Sequence, residues 1–162
     1  MQAPAGESIT GGYVDSLKVA IAHEKSKAAE LMQLADRSRL GAKLMFTELA
    51  TEALLYVNSL IVEFEHVLES DDVPEGEDSD EFYVPPTRWT ERFVIPDEFT
   101  LPEQAILVAI EATRASEAFY ESRRALVPDV VSRQFFQGCV QRMNRRTADL
   151  REEYDKFVMT SN

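Results

Sequence analysis

Glu24 is the residue whose position most invites a chemical reading. It falls inside an otherwise apolar series, Leu17, Ala20, Ile21, Ala28, Leu31 and Ala35, whose three-and-four spacing puts them all on one helix face. A carboxylate there is costly to bury unless it is paired, hydrogen-bonded or bound to a metal. Glu63-Phe-Glu-His66 has Glu-x-x-His spacing, which would turn two ligands toward one ion, and Glu63 lies two turns beyond Tyr56. A lone motif in an acid-rich chain reads more simply as a solvated helix end with a histidine well placed at a C-terminus, so Glu63 and His66 are weak metal candidates. His23 points off the Glu24 stripe and is expected at the surface. Cys139 has no histidine near it in sequence and reads as a small core residue rather than a nucleophile. Gly11-Gly12 precedes a helix but lacks a phosphate-cradling motif.

The elements that position these groups are long helices. Ser38 to Leu68 contains no proline and one early glycine, Gly41, and repeats Phe46, Leu49, Ala53, Tyr56, Leu60 and Val67 on one face. At 1.5 Å per residue it spans roughly 45 Å, ordinary for a four-helix bundle. A first helix is expected over Tyr13–Asp36, after a loose arm at 1–12. The short turn at Asp36-Arg37-Ser38 makes these two antiparallel neighbours. Thr100-Leu-Pro-Glu103 has the form of a capping box with proline in the first turn. It opens a third helix to Leu126, with Ile106, Ala109, Ile110, Thr113, Glu117 and Tyr120 inward. After Pro128 a fourth helix runs over Asp129–Met159, with Val131, Phe135, Phe136, Cys139, Met143, Arg146, Leu150 and Phe157 inward. The expected fold is all-α, two antiparallel helical hairpins joined by a long crossover at 70–99, in one domain of 162 residues.

The formal net charge of −12 argues against nucleic acid as a partner, because phosphate binding needs a basic surface. Eight acids crowd Glu69 to Glu81, and such a run is most simply a solvated, self-repelling loop. The aromatic and apolar set that follows, including Phe82, Tyr83, Trp89, Phe93 and Phe99, is expected to cover the bundle, or to meet a protein partner if exposed. No run approaches the roughly 18 apolar residues of a membrane span, and the N-terminus lacks the basic-then-apolar order of a signal peptide. With a single cysteine, the chain fits a reducing compartment, and the cytoplasm is the expected location.

The two hairpins echo one another about 90 residues apart: Ala20-Ile21-Ala-His-Glu24 aligns with Ala109-Ile110-Glu-Ala-Thr113, and Met45-Phe46 with Phe135-Phe136. With Leu44-Met-Phe46-Thr-Glu-Leu49-Ala50, Leu101-Pro-Glu-Gln-Ala105 and Ala118-Phe119-Tyr120, the chain resembles the ferritin-like superfamily, in particular its rubrerythrin-like branch, over residues 13–69 and 100–158. The resemblance implies a ferritin-like four-helix bundle holding a pair of irons. One Glu comes from each of helices one and three, and a Glu-x-x-His or close variant from each of helices two and four. Glu24 matches, but the other positions hold Ala53, Tyr56, Thr113, Met143 and Arg146. One ligand of six survives, and no rubredoxin-like cysteine motif is present.

These substitutions suggest a replacement for the metals: a Glu24–Arg146 ion pair hydrogen-bonded by Tyr56, or else Arg146 snorkelling to the surface beside a half-exposed Glu24. The expected function is therefore a non-catalytic structural or interaction protein with a degenerate di-iron site and no expected cofactor. The alternative is a rubrerythrin-type metal-binding oxidoreductase or iron-handling protein, using iron or manganese through Glu24 and unconventional ligands. A homo-oligomer, most simply a dimer, is expected, with no membrane partner.

Overall fold

Four helices make up the regular structure of the described residues, 9–70 and 100–160, in a computed structural model: α1 (Ile9–Arg37), α2 (Leu40–Ser70), α3 (Pro102–Leu126) and α4 (Val130–Thr160). They form a four-helix bundle. α1 begins four residues before the expected Tyr13, so residues 9–12 belong to the helix rather than to a loose arm. The acidic run and the aromatic set of the crossover lie outside the described residues.

The apolar periodicity accounts for the packing. α1 packs extensively on α2, and α3 on α4. One part of the core gathers Leu34, Phe46, Ile106 and Leu150, and the other Leu17, Leu60, Tyr120 and Phe136. Each part therefore draws on all four helices. On α4 the buried side is Ser132, Phe136, Cys139, Met143, Thr147 and Leu150. Val131 and Phe157, expected inward, are exposed: Val131 stands beside the buried Ser132, off the inner face, and Phe157 lies near the end of α4.

Three close approaches fix which helix ends lie together. A side-chain carbon at Gly41, near the start of α2, would stand 2.8 Å from Pro102 Cγ at the start of α3. One at Gly12 would stand 2.7 Å from Asp129 Oδ1, just before α4. Tyr13 Oη donates to Glu63 Oε1 at 3.2 Å, so the early part of α1 meets the late part of α2. The α1–α2 turn is tight: Ser38 Oγ donates to the Leu34 carbonyl at 2.7 Å, and Leu40 takes a left-handed φ of 51°, a conformation that costs a branched side chain energy.

The start of α3 differs from its capping expectation. Leu101, not Thr100, is the N-cap residue, extended at ψ 153° as a residue before proline prefers. Its N–H donates to the Gln104 side chain at 2.9 Å, the role expected of Glu103. α4 starts on Asp129, whose Oδ2 accepts the Ser132 N–H at 2.8 Å, a regular N-cap.

One sequence expectation needs amendment. α2 contains an 18-residue window of mean hydropathy 1.2, long and apolar enough by composition to cross a membrane, with 33% of that window buried in the bundle. The remainder is half-buried or exposed. Leu44, Leu54, Leu55 and Val62 are all exposed.

Candidate functional site

All six positions singled out by the family comparison, Glu24, Ala53, Tyr56, Thr113, Met143 and Arg146, line one cavity of about 390 Å³. The long inward stripes bring them there, each helix contributing residues from its middle. The chemistry at these positions differs from the expected one.

Glu24 is 1% exposed, and its ion-pair partner is Lys27, whose Nζ lies 2.8 Å from Oε2. The expected Glu24–Arg146 pair does not form. Lys27 is one turn along the same helix, and its flexible stem bends inward until the side chain is 11% exposed, with Nζ also 3.6 Å from Met143 Sδ. Tyr120 Oη donates to Glu24 Oε1 at 2.7 Å. Burial by itself raises the Glu24 pKa, but the Lys27 charge, the hydrogen bonds from Lys27 and Tyr120 and the proximity of His23 outweigh it and hold the carboxyl below its usual range. These interactions favour the charged form, with Oε1 hydrogen-bonded by Tyr120 and Oε2 at ion-pair distance from Lys27. Tyr120, fully buried against that charge, is pushed well above the ordinary tyrosine range.

Arg146 turns the other way. Its Nη2 donates to Glu52 Oε1 at 3.0 Å, and its Nε lies 2.9 Å from Oε2 of the same carboxylate at an angle too bent for a second hydrogen bond. A side chain 25% exposed reaches the rim more cheaply than the buried centre, where Lys27 already provides the charge. Tyr56 does not bond Glu24. Its hydroxyl pairs with Cys139 Sγ at 3.3 Å, and Arg142 lies over its ring at 3.9 Å. Burial raises the Cys139 pKa to about 11, only partly countered by Tyr56, so the thiol is protonated and unreactive, as its core reading implied. Thr113 Oγ1 turns back to the Ala109 carbonyl at 2.8 Å, as buried helical threonines do.

His23 is buried, contrary to the surface expectation. Its Nε2 lies 2.9 Å from Ser116 Oγ, and its ring stacks on Phe119 at 4.1 Å between centroids. α1 buries more than one stripe because α3 covers the flank beside Glu24. Ser116 and Phe119, three apart on α3, are the signal that could have revealed this, but no single-helix periodicity shows it. Burial and the nearby Lys27 lower the His23 pKa to about 4, against a smaller opposing effect of Glu24. Glu63 is bonded to Tyr13 and His66 is exposed, and among the described residues no third ligand joins them.

No protein-family model, characterised protein or solved structure matches this chain.

The residues present do not suit a pair of metal ions. Among the described residues no three His, Cys, Asp or Glu side chains come together as a ligand set. The one carboxylate in the family position already faces an ammonium group at ion-pair distance. A divalent ion beside Glu24 would have to displace Lys27 and find its other ligands among an alanine, a threonine, a thioether, an arginine and Tyr56, whose hydroxyl is paired with Cys139, a poor match to the usual donor sets.

Proposed function

We propose that this chain is a divergent ferritin-like bundle of the rubrerythrin-like branch, in which an internal ion pair has replaced the metals, and that it acts as a non-catalytic structural or interaction protein. The order of helix ends supports the fold reading. The starts of α2 and α3 lie together, as do those of α1 and α4, and the early part of α1 meets the late part of α2. This order of ends is in keeping with two antiparallel hairpins. The observation that carries the functional reading is the Lys27–Glu24–Tyr120 cluster inside the cavity that the six family positions line.

An interaction role has a surface to use. Leu44, Leu55 and Val62 lie exposed on α2, on a face that three-and-four spacing completes with Glu48, Thr51 and Asn58. The occupant of this stripe is a second copy of the chain, since a stripe of this kind can pair with itself about a twofold axis.

The test is metal content by mass spectrometry after anaerobic ferrous or manganous loading and desalting. The expected result is no retained metal. Near-stoichiometric metal that disappears in Glu24→Ala would replace this reading with a metal-dependent oxidoreductase or iron-handling protein.

A further inference from the structure

We propose that the central cavity binds a small organic monoanion with an apolar body, of the class of a medium-chain carboxylate. The inference stands on the lining of the cavity and goes beyond the interaction role. At about 390 Å³ the cavity falls among sites for small molecules, roughly 300–1,000 Å³. Its buried part combines the apolar Leu31, Leu49, Ala53, Ala109, Ala112 and Met143, drawn from all four helices, with Thr113 and the mutually paired Glu24 and Lys27. Its outer part is charged and exposed, with Glu52, Arg142, Arg145 and Asp149.

The charge on that rim is unevenly committed. Lys27 is held by Glu24 and Arg146 by Glu52. Among the described residues Arg142 lies over the ring of Tyr56 without a hydrogen bond or ion pair, and Arg145 has neither hydrogen bond nor ion pair. A guanidinium held over an aromatic ring still has N–H groups to offer an anion. The lining holds the cations Lys27, Arg142, Arg145 and Arg146 against the carboxylates Glu24, Glu52 and Asp149. That leaves a surplus of one positive charge in a chain whose net charge is −12. A monoanion neutralises the surplus, while a dianion would meet Asp149 without compensation. The carboxylate head therefore sits at Arg142 and Arg145, and the apolar body lies against the apolar part of the lining, Ala53 and Leu49 among it.

Isothermal calorimetry on the full chain tests this, with octanoate as the probe. Octanol, which lacks the charge, and acetate, which lacks the apolar body, serve as controls. The expected result is one saturable octanoate site, with both controls at least about tenfold weaker. The R142A/R145A double variant, altered at two exposed positions, should weaken octanoate about tenfold or more. Ala53→Leu, which fills the floor of the cavity, should do the same. Absence of saturable octanoate binding overturns the proposal, as does octanol binding equal to octanoate. Affinity unchanged in both variants overturns it as well.

Discussion

Lys27 Nζ stands 2.8 Å from Glu24 Oε2, one turn along the same helix, so the buried carboxylate carries its own counter-ion within α1. The pair does not depend on any other helix to form, but it is buried only because the bundle closes around it. Removing one partner leaves the other charge without compensation, whereas removing both leaves a smaller penalty. Glu24→Ala is expected to lower the unfolding free energy by about 3 kcal/mol, read from urea denaturation. A Glu24→Leu/Lys27→Met double variant should lose clearly less. Equal losses for the single and double variants would contradict the pairing.

Tyr120 should behave as the second support of the same carboxylate. Its hydroxyl reaches Glu24 Oε1 at 2.7 Å from a ring that is fully buried. Tyr120→Phe keeps the ring and removes only the donor, so the expected cost is about 2 kcal/mol, the range for a hydrogen bond to a charged group. In the Glu24→Leu/Lys27→Met background the same change should cost much less, which a double-mutant cycle measures directly.

How much of this was legible beforehand differs from residue to residue. The four helices follow from apolar spacing, whereas the gathering of Glu24, Ala53, Tyr56, Thr113, Met143 and Arg146 around one cavity was implied by the resemblance. Spacing within a helix states which residues share a face, and all six lay on inward stripes. The partner of Glu24 was not legible in the same way. Lys27 and Arg146 could each reach it, and the choice turns on stem length, rim exposure and the competing carboxylate of Glu52, which are three-dimensional quantities. His23 was misplaced for a related reason, since its burial comes from α3 lying across a second side of α1.

That burial gives the stability a pH dependence. The His23 pKa is lowered to about 4 in the folded chain, against about 6.5 when unfolded. Between these values the unfolded chain binds the extra proton, so stability is full above about pH 6.5 and falls as the pH drops toward 4. From about pH 7 to about pH 5 the expected loss is about 2 kcal/mol. Glu24, whose pKa is also depressed, adds a further loss only at lower pH, below the ordinary carboxylate range. Denaturation curves at the two pH values should differ in the parent chain, and the difference should shrink markedly in His23→Gln. An undiminished difference in that variant would place the titration elsewhere.

Gly41 tests the junction of the helix ends. An alanine methyl there would come within 2.8 Å of Pro102 Cγ, and a proline ring at the start of a helix has little room to turn aside. The strain of such a contact is of the overpacking kind, about 1–3 kcal/mol, and exceeds the stabilisation that alanine ordinarily gives a helix over glycine. Gly41→Ala should therefore lower the melting temperature. Gly138, whose added methyl would meet nothing within 4 Å, supplies the control: Gly138→Ala should raise it. If both variants move in the same direction, propensity rather than the α2–α3 approach governs.

The outer stripe of α2 allows a last prediction. Leu55 and Val62 are 61% and 66% exposed, so a charge at either position costs the isolated bundle little. In a twofold pairing of α2 with a second copy, each would face its own counterpart or a close neighbour, and like charges brought together there would oppose association. Sedimentation of the parent chain is expected to show a dimer, and Leu55→Glu/Val62→Glu a monomer with unchanged helical content by circular dichroism. Lys18→Glu, a change at a partly buried position on α1 outside the stripe, should leave the dimer intact. A parent chain that sediments as a monomer at all concentrations would remove the second copy as the occupant of this face. If instead the parent chain partitions onto lipid vesicles and the Leu55→Glu/Val62→Glu variant does not, the apolar window of α2 is serving a membrane surface.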